Sequence, residues 1–148
     1  MVQKNNIQIE SDKAHFASVK AFNLPLSLKF SVEIGNFIKN KDFKKSKIIL
    51  ENVIAKKTAV PFKRFNRDLG HKPGISAGRF PVKASEAILK LLESLEANAE
   101  NKSLDINKLI ISEFMANKGN ATWHPGRKRR RRMKRCHIFI KAIEKEEK

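Results

Sequence analysis

Residues 121–140 read ATWHPGRKRRRRMKRCHIFI, and they set the hardest condition on any fold for this chain. Eight of the nine residues from Arg127 to Arg135 are Arg or Lys, and none is an acid. Runs this dense ordinarily sit on flexible tails or localisation signals. Here the run passes straight into Cys136-His137-Ile138-Phe139-Ile140, whose alternation marks a strand with Ile138 and Ile140 on one face and Phe139 on the other. Residues 108–116, KLIISEFMA, read as another strand, and the simplest connection is antiparallel, with the basic stretch as the ribbon between the two. Pro125-Gly126 is the ribbon's only turn signal, so the turn is expected within residues 123–129. Like charges on facing arms oppose pairing, so the ribbon is expected to be stable only when anions surround it. With roughly 3.3 Å per residue and about eight residues per arm, it projects about 26 Å beyond the paired strands.

The whole chain shares the imbalance. Its 148 residues carry 32 Lys and Arg against 15 Asp and Glu, a formal charge of +17. Such an excess repels itself unless a polyanion neutralises it, and nucleic acid fits better than an anionic membrane surface. Apolar runs such as Ile48-Ile49-Leu50 fall far short of the roughly 20 residues of a membrane-spanning helix. The opening MVQKNNIQIESDKAH has no apolar signal core, so export is not expected. One cysteine permits no intrachain disulfide and suits a reducing compartment. The expectation is a soluble, cytoplasmic, polyanion-binding chain of one domain.

Residues 1–15 are polar and aperiodic and read as a loose arm. Residues 16–26 supply a candidate strand. Phe30, Ile34, Phe37 and Ile38 then fall on one helical face, and Asp42 is placed to cap a second helix carrying Ser46, Leu50, Val53 and Ile54. Residues 58–78 read as a long basic connection punctuated by Pro61, Gly70, Pro73, Gly74 and Gly78, and loops of that length are often functional. Pro81 opens the strongest helix, with Ala84, Ile88, Leu91, Leu92, Leu95 and Ala99 as its apolar stripe. The division expected is a body of residues 16–117 and 136–143, a basic hairpin of 118–135 and a charged tail of 144–148.

Neither catalysis nor a metal fits these residues. Cys136 and His137 are neighbours on a strand, so their side chains point to opposite faces and cannot act as nucleophile and base together. His15, His71, His124, His137 and Cys136 lack any zinc-ligand spacing, and G-x-x-x-x-G-K-[ST] is absent. No enzyme, cofactor or metal is expected. Charge segregation instead marks two binding surfaces. Residues 84–113 hold six acids and three lysines, whereas residues 56–83 hold eight bases and one acid, Asp68. The first surface comprises Lys56, Lys57, Lys63, Arg64, Arg67, His71, Lys72, Arg79 and Lys83. The second comprises Lys118, Arg127, Lys128, Arg129, Arg130, Arg131, Arg132, Lys134, Arg135 and His137. Phe62 and Phe65 interleave with bases and are candidates for stacking on nucleobases. Arg79 and Lys83 flank a helix N-terminus, where a phosphate would be attracted.

VPFKRFNRDLGHKPG, AGRFPVKASEAILKLL, SLEANAENKSLD and KRCHIFI, in this order and at these separations, resemble the L twenty-two family of large-subunit ribosomal proteins (L seventeen in the eukaryotic convention). The spacing is closest to its archaeal and eukaryotic branch, and the likeness runs from about residue 17 to residue 143. It implies an α+β fold, three helices packed on a small antiparallel sheet with a long basic β-hairpin extension. It also implies a structural part in the large subunit, with large-subunit rRNA, neighbouring proteins and the nascent peptide as partners and no homo-oligomer. Arg64, Arg79 and Lys83 would touch rRNA from the body. Lys118, Arg127, Arg135 and His137 would do so from the hairpin, and Trp123, His124, Pro125 and Gly126 would lie near a tip beside the peptide exit tunnel. The chain departs from the family in Ser27-Leu28-Lys29 where relatives have Ser-Pro-Lys, and in a shorter, arginine-rich ribbon, which implies a tip that intrudes less into the tunnel. A free-standing nucleic-acid-binding regulator on the same fold is the alternative.

Overall fold

The structure, a computed structural model, describes residues 15–145. The expected loose arm lies outside the described residues apart from His15, and so does the charged tail beyond Lys145.

Strand β1 (Phe16–Leu24) is followed by helices α1 (Leu28–Ile38) and α2 (Phe43–Ile54). Three short strands come next, β2 (Val60–Pro61), β3 (His71–Lys72) and β4 (Ser76–Arg79). Helix α3 (Val82–Glu100) leads to β5 (Leu109–Lys118), and the ribbon returns as β6 (Cys136–Glu144). β5 runs on to Lys118, which pairs with Cys136, so Asn117 and Lys118 belong to the paired sheet.

The main sheet is antiparallel in the order β1-β6-β5. Alternation along β6 buries Cys136, Ile138, Ile140 and Ala142 on the helix-covered face, as the sequence pattern requires. Against that face pack Ile34 and Ile38 of α1, Leu50 and Val53 of α2 and Ile88, Leu92 and Leu95 of α3, all buried. Each such side chain contributes roughly 1.5–3 kcal/mol on burial. Gly35 is what lets α1 approach β5, since a Cβ there would stand 2.1 Å from the Phe114 ring.

The turn between α1 and α2 is sewn to the sheet edge. Asn40 takes a left-handed φ of 62° and donates its N–H to Ile111 O at 2.8 Å, while Ile111 N–H donates to Lys41 O at 3.1 Å. Asp42 occupies the cap position of α2, but its carboxylate makes no capping bond and pairs with Lys45 at 2.6 Å instead.

Residues 58–78 are not a bare connection. β2, β4 and β3 form a second small antiparallel sheet in that order. Strands of two to four residues are too short to show alternation, which is why the sequence pattern did not announce them. Gly74, at φ +76°, turns β3 into β4. Gly78 is buried, and a Cβ there would stand 2.7 Å from the tip of Ile75, so the regularly spaced glycines serve different ends.

Candidate nucleic-acid interface

The loop carrying Lys63 and Arg64 is held from beneath by an acid. Glu33, on α1, is 1 % exposed, and its carboxylate accepts the backbone N–H groups of Lys63 (3.1 Å), Arg64 (2.8 Å) and Phe65 (2.6 Å). Three N–H groups satisfy one buried carboxylate and point both basic side chains outward. Arg67 returns its Nε–H to Lys63 O at 2.7 Å, closing the loop. Phe62 lies in the core, 3 % exposed and edge-on to Phe30, so it cannot stack on a base. Phe65 is half-buried, with Lys29 and Arg64 both over its ring.

The ribbon is lightly paired. Gly119 N–H donates to Arg135 O, Met133 N–H to Thr122 O and His124 N–H to Arg131 O, and Trp123 bridges Arg132. Trp123 and His124 thus lie on the outgoing arm, and the turn runs from Pro125 to Arg130, with a 3-10 turn at Gly126–Lys128 and Gly126 at φ +63°. It sits slightly later than Pro125-Gly126 alone suggests, because the helical turn continues into the first arginines. The Arg132 guanidinium lies 4.5 Å over the Trp123 ring, a cation–π contact that pins the two arms together. Gly119 is a tight crossing, since a Cβ there would meet the Arg135 Cβ at 3.0 Å.

At the ribbon's root the two basic segments converge. A cleft of about 700 Å³ is lined by Arg79 from the body, Lys118, Arg132, Lys134 and Arg135 from the ribbon, and the start of α1 with Ser27 and Lys29. Lys63 faces a separate cleft of about 460 Å³ with Lys39 and Lys41, and burial lowers the pKa of Lys41, whose ammonium stands 3.9 Å over the Phe37 ring. Arg64 and His137 border two further clefts. Lys56 and Lys57 follow α2 and line none of these four. Lys29, Lys39 and Lys41 were missed as site residues because they sit in or beside helices that the pattern marks as core-forming. Only the fold carries them to the basic side.

Most of these cations are exposed, with Lys72, Arg135 and His137 half-buried. Among the described residues the ion pairs are His15–Glu144, Lys45–Asp42 and Lys47–Glu96, and none uses a base of residues 56–83 or 118–135. At the start of α3, Val82 N–H already donates to Phe80 O and Ala84 N–H to Pro81 O, so this terminus offers an anion fewer donors than the bare sequence suggests. Cys136 is buried at the root of β6 while its neighbour His137 lies on the other face. No group of three or more metal-ligating side chains occurs among the described residues.

A family model described as ribosomal protein L22p/L17e matches residues 19–143. The large ribosomal subunit protein uL22 of Methanoculleus marisnigri is 52% identical over 106 residues, covering 70% of this chain and 69% of its own length. That of Methanosphaera stadtmanae is 46% identical over 124 residues, 80% of each chain. That of Staphylothermus marinus is 39% identical over 146 residues, 90% of this chain and 93% of its own.

Proposed function

The chain belongs to the ribosomal protein L22p/L17e family, a structural and non-enzymatic family of the large ribosomal subunit, and from that premise we propose that it binds large-subunit rRNA through its body and its ribbon together. The observation that carries this is the set of exposed bases without acid partners, gathered around the cleft where Arg79 meets the ribbon's root. Phosphates are the ligand such a surface fits, because releasing their counterions favours association without demanding a base sequence. Body and ribbon enclose the cleft from two sides, so a strand of rRNA lodged there fixes the direction of the ribbon. The residues at the far end, Pro125 to Arg130, would then reach the wall of the nascent-peptide exit tunnel, with Trp123 and His124 just behind them. Subunit assembly benefits because one chain ties separate rRNA segments together.

The test is a salt titration of binding to large-subunit rRNA. Replacing Arg129, Arg130, Arg131 and Arg132 together by Ala should flatten the log–log salt slope by about two to three, as three of the four on phosphates would at roughly 0.7–0.9 per lost contact. An unchanged slope removes the ribbon from the interface. Sedimentation of extracts in high salt separates a ribosomal constituent, recovered in large subunits, from a free-standing regulator, which would remain at the top of the gradient.

A further inference from the structure

The face of the main sheet turned away from the helices carries aromatic rings beside bases. Register sets Lys20 and Met115 on either side of Phe139, and Asn117 beside His137. Phe22, 70% exposed, meets the His137 ring edge-on at 5.5 Å. Together these side chains line a shallow cleft of about 250 Å³ with no acid in its lining. We infer that this cleft is a platform on which an unpaired RNA base stacks, a role that rests on the RNA-binding reading above.

Four observations support it. A phenylalanine left this exposed on a sheet gains little from folding, while its edge-on contact with His137 fixes the ring and leaves a face for a flat partner. Lys20 stands 5.5 Å over the neighbouring Phe139 ring, a cation placed for the phosphate that accompanies a stacked base. His137 Nδ1 accepts the Asn23 N–H at 3.1 Å, so the neutral ring carries its proton on Nε2 and presents a donor for a base edge or a 2′-hydroxyl. Asn23, at φ 54°, also offers its carbonyl to Arg135 Nη1 at 3.1 Å, which joins the platform to the root of the basic ribbon. An open ring flanked by Lys20 and His137 and joined to Arg135 suits a single-stranded nucleotide better than an apolar protein segment.

The experiment compares wild type, Phe22→Ala, Phe22→Leu and Phe22→Trp for binding to large-subunit rRNA across a salt series. With Phe22 so exposed, all should fold with near-wild-type melting temperatures. Loss of one stacked base should weaken Phe22→Ala and Phe22→Leu at least about fivefold, with the salt slope unchanged, while Phe22→Trp binds as tightly as wild type or tighter. If Phe22→Leu retains what Phe22→Ala loses, apolar contact rather than a stacked ring holds the RNA there and the platform is overturned. If all four proteins bind alike while the Arg129–Arg132 replacement impairs binding, the platform alone fails. If wild type does not bind rRNA, both readings fail.

Discussion

Helix α3 and the ribbon occupy opposite ends of this molecule's charge distribution and are held by different forces. α3 carries Glu86, Glu93 and Glu100 on its outer side, ties the half-buried Glu96 to Lys47 of α2 at 2.7 Å, and buries Ile88, Leu92 and Leu95 completely. Residues 120–135 contain eight bases, no acid and no buried side chain, and their arms meet through few backbone bonds. Hydrophobic burial makes the body's geometry intrinsic. The ribbon's geometry rests on those few bonds and on the Arg132–Trp123 contact. One chain thus joins a packed body to a sparsely held ribbon, the first deciding where the second begins.

The largest effect expected from this contrast is on the stability of the free protein. Leu92→Ala should cost about 2–5 kcal/mol in denaturant unfolding, as buried leucines do. Replacing Arg129, Arg130 and Arg131 together by Ala should change it by less than about 0.5 kcal/mol, because exposed residues away from packed or strained features rarely matter more. A ribbon variant as destabilised as Leu92→Ala would erase the distinction.

A smaller effect sharpens the boundary between the two. Glu33→Gln keeps one oxygen for Arg64 and Phe65 but sets an amide NH₂ against the Lys63 N–H, donor against donor. Unfolding free energy should fall by about 1–3 kcal/mol. Binding of large-subunit rRNA should weaken because the Lys63–Arg64 loop shifts, while the salt slope due to the ribbon stays. Unaltered rRNA affinity in a destabilised variant would show that the loop is scaffold rather than contact.

The smallest effect is kinetic and reports where body and ribbon join. Burial raises the Cys136 thiol pKa, opposed in part by a hydrogen bond with Ser31. Thiolate is therefore scarce in the native state at mildly alkaline pH, and alkylation should be far slower than for an unfolded control. The stability linked to this thiol is present below the ordinary thiol range and is lost as pH rises through the raised native value, because the unfolded chain ionises first. Fast labelling of native protein near pH 8 would show that the root opens with the ribbon.

Much of the body was legible because its elements are long enough to show a period. Phe30, Ile34 and Ile38 announced α1, and Ile88, Leu92 and Leu95 announced α3. The small second sheet was not legible, since two residues carry no period. Nor was Glu33, which on paper is one more acid on a helix and becomes a loop anchor only when residue 33 is brought under residues 63–65. Basic character was legible from counting, but the meeting of Lys29, Arg79 and Arg135 around one cleft depends on tertiary geometry. Phe62 shows the opposite failure, an aromatic among bases whose neighbours in space are apolar.

The strand order β1-β6-β5 has a consequence for the order of manufacture. β6 is the middle strand and also the last of the three to be synthesised. Its two flanking strands, β1 and the β5 that leads into the ribbon, wait apart until it arrives between them, so the sheet closes only once residues 136–144 have been made. The arginines of residues 127–135 come out just ahead of it. A nascent copy therefore displays its densest positive charge before it has a sheet to aim it with.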